Sequence, residues 1–467
     1  MMEKEPNLFR KQAVIPNMEQ RAIPKDREAT LLGVIASSAI ASMFLIAAIY
    51  FTMPLTRLSM SGLIVNASIF ALLFFLALLL IRYFVTLVAS FLFFAKYSAR
   101  DKSDFFPFIS IIVPAYNEEK VIEDSVKSLL TQDYPNYEII IVNDGSTDKT
   151  HEVAEKLVGL HPGKHATVRV SLINKENGGK SSALNAGIHF SSADFVLCMD
   201  GDSTLSPTTL RIGAKYFADP TVGAVAGKVK VLNDYKLLTN LQSLEYVEGL
   251  NMVRSSQSYL RMVNIIPGPI GIFRKQAIID AGWYSSDTYA EDADLTLKIR
   301  QAGWHIVYEP KAVAYTEAPE SIYQLLKQRY RWTRGLLQSL TKHRQRLFHP
   351  RKHLLNSLVL WNMFYDAIIW PAMNIFANLF FIFVAIFYGM TTLIPLWWLS
   401  IALLDIMAAI YCVAADKEDL KLIPYAIFYR LFFVLTIDIT KVAATIEEFL
   451  GFDMTWGKLE RIGLSAK

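Results

Sequence analysis

Two aspartates separated by one glycine are the clearest candidates for chemistry in this sequence. Asp200-Gly201-Asp202 directly follows the apolar run Phe195–Met199, which predicts a buried strand. Carboxylates at this spacing can share a hard divalent cation, Mg²⁺ or Mn²⁺, because such cations prefer carboxylate and phosphate oxygens. A cation held there neutralises negative charge on a departing diphosphate. The pair therefore predicts a metal and diphosphate site at the end of this strand.

A second acidic pair, Glu291-Asp292, follows Ala290 and precedes a predicted amphipathic helix, Asp294–Arg300. A carboxylate at this position can accept the proton of an attacking hydroxyl and so act as a general base. Taken alone, the pair is more typical of an acidic cap at the N-terminus of a helix.

Three further polar loops follow predicted strands or precede a predicted helix. Tyr116–Glu119 and Asp144–Asp148 offer groups suited to a nucleobase and ribose, with Tyr116, Glu118 and Asp144 as the candidate contacts. In Asn177-Gly178-Gly179-Lys180, the glycines permit close approach of the backbone, and the lysine offers positive charge to a diphosphate. Ordinary turn and cap chemistry is the alternative for each loop alone.

The sixth candidate is the run Gln328-Arg329-Tyr330-Arg331-Trp332, which lies in a basic segment with apolar residues at helical spacing. Such a helix can lie on a membrane surface, with no chemical role. Its other interpretation is functional: Gln328 and Arg331 can bind a diphosphate, since arginine pairs with phosphate, and Trp332 can stack on the apolar face of a sugar.

Alternating strands and helices must position these loops. Predicted strands at Phe108–Val113, Glu138–Val142, Val168–Ile173 and Phe195–Met199 alternate with predicted helices, two of them at Glu118–Thr131 and Lys149–Val158. This alternation predicts an α/β fold with a Rossmann-like, mostly parallel sheet. Ligands of such sheets bind beyond the carboxyl ends of the strands, where the polar loops lie.

Apolar segments flank this predicted α/β domain. The 467 residues are 53% hydrophobic and only 19% charged, below the quarter that is usual for soluble domains. Segments long enough to cross a bilayer occur at both ends of the chain. They are Leu31–Phe51, Leu63–Ile81 with a possible continuation through Tyr83–Phe94, Leu354–Met390 with Pro371 as a predicted kink, Leu396–Ala414 and Ile423–Thr440.

Basic residues around the first two predicted spans indicate the orientation of the chain. Only Arg57 lies between these spans. The flanking basic residues are Lys4, Arg10, Lys11, Arg21, Lys25 and Arg27 before the first span, and Lys96, Arg100 and Lys102 after the second. We therefore expect a multi-pass protein of the plasma or inner membrane with a cytoplasmic N-terminus and middle domain. The C-terminal tail carries Lys458, Arg461 and Lys467, so the choice between five spans and six stays open.

The remaining composition limits the classes of function. A net charge of +4 gives no indication of nucleic-acid binding. Cys198 and Cys412 are too few for a disulfide framework, and each falls in a predicted buried segment. The ionisable residues Asp366 and Arg430 lie inside apolar stretches, where they either line a path for a ligand or form a structural charge pair.

The order of these motifs resembles that of the processive family-2 glycosyltransferases, which include poly-N-acetylglucosamine, hyaluronan, chitin and bacterial cellulose synthases. In chain order the motifs are YNEE, NDGSTD, NGGK, DGD, GPIGIFRK, ED and QRYRW. They extend from about Ser110 to Gly335, and the flanking segments match in arrangement only. DGD, ED and QxxRW in this order are a specific signal, whereas each motif alone is not. Ala290 departs from the threonine that is frequent before the acidic pair.

The resemblance implies a GT-A fold, a UDP-sugar donor and inversion at the anomeric carbon. It also implies roles for the candidate residues. Asp144 would contact the uracil or ribose, Lys180 and Asp200 would contact the diphosphate, and Asp202 with Asp200 would bind the metal. Gly268 would lie near the acceptor sugar, and Asp292 beside Glu291 would be the general base. The diphosphate and the polymer end would be held by Gln328, Arg331 and Trp332. The expected divisions are 1–28 (cytoplasmic tail), 29–95 (two spans), 105–318 (GT-A domain), 319–353 (interfacial helices), 354–444 (about three spans) and 445–467 (tail).

The expected activity is polymerisation of a UDP-sugar, UDP-N-acetylglucosamine by layout, into a β-linked polysaccharide that passes through the chain's own helices. The layout resembles the poly-N-acetylglucosamine and hyaluronan synthases, since a C-terminal regulatory domain of the cellulose synthase kind is lacking. Expected partners are the UDP-sugar donor, the growing polysaccharide, the lipid bilayer and a small membrane accessory subunit. Hyaluronan- or cellulose-type synthesis, non-processive transfer to a lipid phosphate, and a catalytically inactive scaffold are the alternatives.

Overall fold

The computed structural model describes residues 62–97, 105–349, 353–389 and 391–453. Between the apolar helices at either end lies an α/β domain built on one nine-stranded sheet. Its strands are β1 Ile109–Ala115, β2 Tyr137–Asp144, β3 Gly159–Pro162, β4 Thr167–Lys175, β5 Phe195–Cys198, β6 Thr204–Leu205, β7 Val222–Val231, β8 Gly271–Arg274 and β9 His305–Thr316.

The strand order is β3-β4-β2-β1-β5-β8-β7-β9-β6. Strands β4, β2, β1 and β5 pair in parallel, and β7 pairs in parallel with β9. Strands β3, β8 and β6 pair antiparallel to their neighbours, so six of the nine strands run in one direction. The mostly parallel sheet expected from the sequence is therefore confirmed, with antiparallel β8 inserted near its centre.

Both faces of the sheet are covered, which explains why its central strands are continuous apolar runs. Successive residues point to opposite faces, so in β2 Ile139 and Ile141 join one core while Ile140 and Val142 join the other. Phe93, near the end of the first described helix, is buried in the second of these cores. This contact docks the apolar N-terminal helix against the α/β domain.

Sixteen α-helices lie in the described part of the chain, together with short 3₁₀ and π-helical turns. They are α1 Gly62–Tyr97, α2 Ile122–Leu130, α3 Thr150–Glu155, α4 Lys180–Phe190, α5 Thr209–Ala214, α6 Leu237–Glu245, α7 Val253–Tyr259, α8 Lys275–Asp280, α9 Glu291–Gln301, α10 Ile322–Lys342, α11 Arg344–Leu347, α12 Leu354–Phe364, α13 Trp370–Tyr388, α14 Leu393–Asp416, α15 Ala426–Phe428 and α16 Leu435–Leu450. The π-helical turns are Tyr246–Met252, Tyr365–Ile369 and Tyr429–Val434, and the 3₁₀ turns are Lys215–Ala218 and Leu420–Tyr425.

The strands predicted from apolar runs are present, with ends shifted by up to two residues. Two predicted helices are shorter than expected, because α2 starts at Ile122 and α3 ends at Glu155. The segment after α3 returns as the edge strand β3, which the sequence analysis missed. Its four residues, Gly-Leu-His-Pro, carry no run of β-branched side chains that would predict a strand.

Three helical stretches are long and apolar enough to cross a membrane within the described residues: 67–97, 354–387 and 397–416. A fourth is possible if the bent pair 420–428 and 432–450, which turns by 64°, counts as one span. The helix α1 does continue past Arg82, whose guanidinium pairs with Asp366 at 2.7 Å. An ion pair of this kind offsets the cost of a charge in an apolar segment.

The segment from α12 to α13 forms one apolar helical stretch of 34 residues and counts as one candidate span. Pro371 is the second residue of α13 and lies two residues after the π-helical turn Tyr365–Ile369, and its ring nitrogen has no N–H to donate to a carbonyl of that turn. Toward the C-terminus, α16 runs to Leu450 and so passes the boundary expected at residue 444. The predicted tail 1–28, the predicted span Leu31–Phe51 and the last fourteen residues lie outside the described part of the chain.

Candidate active site

The first two polar loops are joined at the carboxyl ends of the adjacent strands β1 and β2. The Asn117 side chain accepts a hydrogen bond from the Thr147 amide at 2.8 Å, and the Asn117 amide donates to Ser146 at 3.1 Å. The Glu118 amide donates to the Thr150 hydroxyl at 2.6 Å. Tyr116 stays partly exposed beside them, so these loops form one surface at the edge of the sheet.

Asp144 joins the second loop to the glycine loop. Its buried carboxylate accepts from the Lys175 ammonium at 2.5 Å and from the Gly178 amide at 3.1 Å. Lys175 was not singled out in the sequence, although it lies only two residues before Asn177. A second lysine beside a glycine loop was the available signal. The pair joins the carboxyl ends of β2 and β4.

Lys180, the first residue of α4, lies at the centre of the site. Its ammonium is 2.6 Å from an Asp200 oxygen and 2.6 Å from a Glu291 oxygen. Burial lowers the pKa of Lys180, but the neighbouring carboxylates outweigh it and raise the pKa overall. The two acidic motifs predicted from sequence, DGD and ED, are therefore brought together by one lysine.

The pKa values of the carboxyl groups around Lys180 are shifted in different directions. Burial raises the pKa of Asp292 to about 6, and the Glu291 charge adds to this rise. For Glu291, burial also raises the pKa, but Lys180 and more weakly Arg331 lower it below its usual value. Burial raises the pKa of Asp200 against the effect of Lys180, and the charge of Asp202 contributes. One carboxyl of the ED pair is thus held ionised while the other has the higher proton affinity that a base needs.

Gly268 lies directly over the Lys180–Asp200 pair. A Cβ at this position would be 3.0 Å from the Lys180 nitrogen and 3.1 Å from either Asp200 oxygen, so only glycine fits without displacing them. The preceding residues are tied to α9, because the Ile266 amide donates to the Thr296 hydroxyl at 2.9 Å. The loop predicted to lie near the acceptor sugar therefore lies against Asp200 of DGD, and it lines a small pocket together with Glu291 and Asp292.

The QRYRW run lies on α10, as predicted, but its arginines have unequal surroundings. Arg329 is buried, forms an ion pair with Glu245 and lies 4.3 Å above the centre of the Trp332 ring. It also donates to Gln328 at 2.8 Å. Arg331 is the arginine whose charge acts on Glu291. Arg329 was not identified from the sequence, because Arg329 and Arg331 lie on different faces of the helix and only the neighbouring elements decide which face meets the site.

The DGD carboxylates fit the divalent cation that the fold family implies. Oxygen donors of this kind suit Mg²⁺ or Mn²⁺. Burial and the charge of Asp202 raise the pKa of Asp200, and a bound cation would lower it again by favouring the ionised carboxylate. Among the described residues, no group of three or more His, Cys, Asp or Glu can hold a metal by itself.

A cavity of about 400 Å³ adjoins this site on the side of the apolar helices. Asn264 and Ile265, just before the Gly268 loop, line it together with residues of the candidate spans. Asp366 and Arg430 line it as well, and both are paired, Asp366 with Arg82 and Arg430 with Asp405. Both residues therefore belong to structural charge pairs, and both line this cavity.

Three polar side chains that line the cavity are buried with atoms lacking a hydrogen-bond partner. They are Glu248, on the π-helical turn Tyr246–Met252, and Arg254 and Gln257, on α7. The pKa of Arg254 responds to the charge of Asp292, so the cavity lies within electrostatic range of the acidic pair. Buried polar groups of this kind require partners, which a polar ligand or water would supply.

The fold and this site define the class of protein. Residues 107–335 match the model of a family described as "Glycosyltransferase like family 2". This part of the chain is therefore a family-2 glycosyltransferase domain with a GT-A fold, as the order of its motifs indicated.

Curated relatives are similar over the same part of the chain. Poly-β-1,6-N-acetyl-D-glucosamine synthase of Staphylococcus aureus strain COL is 35% identical over 228 residues, which are 49% of this chain and 54% of that protein. The synthase of the same name from Staphylococcus epidermidis is 34% identical over the same shares. The chain thus matches about half the length of these relatives.

A solved structure has the same fold. The mannosyltransferase PcManGT from Pyrobaculum calidifontis, in complex with GDP-Man and Mn²⁺, superposes with a TM-score of 0.52 over 78% of this chain and 95% of that one. At 23% sequence identity this likeness concerns the fold alone.

Proposed function

We propose that this chain is a membrane-embedded, inverting, processive glycosyltransferase. It polymerises a UDP-sugar, UDP-N-acetylglucosamine first among the candidates, into a β-linked polysaccharide and passes the product through its own helices. The observation that carries this proposal is the contact of Lys180 with both Asp200 and Glu291, next to a cavity lined by candidate spans. The similarity to the staphylococcal poly-N-acetylglucosamine synthases supports the choice of sugar.

In the proposed reaction, Asp292 accepts the proton of the acceptor hydroxyl while that oxygen attacks the anomeric carbon of the donor. A pKa of about 6 suits this role, because the carboxylate is ionised near neutral pH yet still basic enough to take a proton. Lys180 and Arg331 bring positive charge to the diphosphate side of the site, and Asp144 binds the nucleoside with Tyr116 and Glu118. Gln328 and Trp332 hold the acceptor end of the polymer.

Asp200 and Asp202 are the residues that would hold the divalent cation in this mechanism. The cation would add positive charge at the departing diphosphate. General-base catalysis and charge stabilisation of the leaving group contribute on the order of 10²–10⁴-fold and 10²–10³-fold to rates of this kind.

The membrane placement proposed here has the α/β domain on the cytoplasmic face, where UDP-sugars would reach it. Its support is the predicted distribution of basic residues and the docking of α1 against the domain through Phe93. The bilayer, the UDP-sugar and the growing polysaccharide are the partners of this proposal, together with a small membrane accessory subunit. Reaction of membrane-impermeant labels with single cysteines placed in exposed loops would test the orientation.

The test of the activity is UDP release by the detergent-purified chain with Mg²⁺ or Mn²⁺. Single UDP-sugars and the pair of UDP-N-acetylglucosamine with UDP-glucuronate are offered in turn. We expect release with UDP-N-acetylglucosamine alone, together with a high-molecular-weight product. Release only with both donors would instead indicate a hyaluronan-type enzyme, and a single-sugar product would indicate a non-processive one. If none of these donors gave UDP release, the proposal that the isolated chain is an active glycosyltransferase would be refuted.

The variant Asp292→Asn tests the base directly. Because an amide cannot accept the proton, we expect UDP release to fall roughly 10²- to 10⁴-fold, with UDP affinity within about two-fold of the parent. UDP affinity is measured by calorimetry on the same preparation. The matched control is Asp194→Asn, an exposed aspartate just before β5, at the opposite end of that strand from Asp200. Lost UDP binding in a folded Asp292→Asn protein would contradict the assignment.

A further inference from the structure

The backbone just before the ED pair rests against helix α10. A Cβ on Gly335 would be 2.6 Å from the Ala290 nitrogen and 2.7 Å from the Tyr289 carbonyl carbon, so helix and loop are in direct contact there. One turn later, the Gln338 side chain accepts a hydrogen bond from the Tyr289 amide at 3.1 Å. The position of Asp292, three residues after Tyr289, is therefore coupled to α10.

The same turn of α10 is tied on its other side to the last described helix, α16. Arg334 pairs with Glu448 at 2.5 Å and donates to the Phe452 carbonyl at 2.6 Å. Tyr330 donates to Glu447, and Gln338 donates to Glu448 at 3.4 Å. Since residues four apart lie on one face of a helix, Tyr330, Arg334 and Gln338 form a single row facing α16.

Gln338 is thus bonded in two directions by the two ends of one amide. Its oxygen accepts from the loop that leads to Asp292, and its nitrogen donates to Glu448. The Arg334–Glu448 pair is only slightly exposed, with 5% of the arginine side chain and 22% of the glutamate side chain accessible. A charge pair this well shielded is screened less by salt than a surface pair.

We propose that Gln338 is a positioning residue, which aligns the ED loop by tying it to Glu448 on the last apolar helix. In the proposed function, on which this inference rests, Asp292 is aligned for proton transfer only while α16 is docked on α10. The helix α16 follows the π-helical turn that carries Arg430, one of the residues lining the cavity. The base and the cavity are therefore connected through one helix.

The first experiment measures the tie without using activity. Hydrogen–deuterium exchange is followed for peptides covering residues 286–293 in the detergent-purified full-length chain. Gln338→Leu and Glu448→Ala should each speed exchange there by about ten-fold or more. In Gln338→Leu the Tyr289 amide has no side-chain oxygen to donate to, and in Glu448→Ala the Gln338 side chain is no longer held by its hydrogen bond to residue 448. The control Gln324→Leu changes a glutamine in the first turn of the same helix and should leave this exchange unaltered. Parental exchange in Gln338→Leu would refute the tie, whatever the activity.

The second experiment separates positioning from simple stability. Gln338→Leu and Gln338→Glu should lower kcat about ten-fold, while KM for the UDP-sugar stays within about two-fold, because a misplaced base affects the chemical step rather than donor binding. An unchanged kcat in Gln338→Leu, or a rise in KM parallel to the fall in kcat, would overturn the proposal.

The hydrogen-exchange experiment and the kinetic experiment together distinguish failure of this inference from failure of the proposed function. An unmodified chain that transfers no sugar counts against the function, while the exchange measurement still decides whether Gln338 ties the loop. Faster exchange at residues 286–293 with an unchanged kcat would show that the tie exists without aligning the base, and would overturn the positioning role.

Discussion

The chemistry of the candidate site depends on how one lysine divides its charge among several carboxylates. Lys180 contacts Asp200 and Glu291 directly, and its charge reaches Asp292 less strongly. Lys180 lowers the pKa of Glu291, while burial and the charge of Glu291 raise that of Asp292. Two adjacent carboxyls with divergent proton affinities are a frequent arrangement at sites of acid–base chemistry.

The raised pKa of Asp292 predicts the pH dependence of the reaction. Below about pH 6 the carboxyl is protonated and cannot accept a proton, so kcat should fall as the pH drops through that value and level off above it. Initial rates of UDP release between pH 4.5 and 8 would measure this profile, with UDP affinity followed over the same range as a control. A profile that stays flat down to about pH 4.5 would contradict a base with this pKa.

At the scale of elements, a buried charge cluster fixes the end of a candidate span to the sheet. Lys228 of β7 is 2.9 Å from Asp416, the last residue of α14, and also pairs with Glu418. Lys230 contributes a second pair with Glu418 at 2.7 Å. Burial lowers the pKa of Lys228, but the acidic partners raise it overall, so the lysine stays charged. This cluster fixes the position of β7 relative to the C-terminal end of α14.

Removing the lysine should destabilise the protein. Lys228→Met leaves two buried carboxylates with too little positive charge, and breaking a buried pair from one side costs roughly 3–5 kcal/mol. The midpoint temperature of thermal unfolding in detergent should therefore fall by several degrees. The control Lys421→Met removes a lysine that is half exposed and pairs with Asp234, so it should cost less than about 1 kcal/mol. Equal midpoints for the two variants would refute this role of Lys228.

At the scale of the whole molecule, the cavity between the α/β domain and the apolar helices is the candidate start of a product path. Its wall combines apolar side chains with the Arg82–Asp366 and Arg430–Asp405 pairs. Paired charges can offer hydrogen bonds to hydroxyls without leaving a net charge in an apolar region. Such a wall suits a neutral polysaccharide.

The length of the product should depend on the width of this cavity. Gly249 lines it, and a Cβ there would meet no heavy atom closer than 4.0 Å, so a larger side chain can project into the space. We expect Gly249→Leu to shorten the polymer several-fold while initial UDP release changes less than about two-fold. Gel filtration of radiolabelled product would measure the length, with Gly249→Ala as the smaller control. Unchanged product length in a folded Gly249→Leu protein would argue against this path.

Much of the fold was predictable from the sequence because its signals are local. Apolar runs that end in polar loops identified β1, β2, β4 and β5, since a strand buried on both faces is apolar throughout. Parallel strands bring their carboxyl ends to one edge, so the sequence also determined that the loops after β1, β2 and β5 share a site. The long apolar segments that were described formed helices for the same local reason.

Only the tertiary structure decided which of these groups touch. The Lys180 contacts with Asp200 and Glu291, the Arg329 stacking on Trp332, and the bond from Gln338 to Glu448 join residues of different elements or different helix faces. Local periodicity gives the face of a helix that is buried but not the side chain it meets. That partner depends on how the helices pack on the sheet, because contacts between positions as far apart as 338 and 448 form only when both elements are docked.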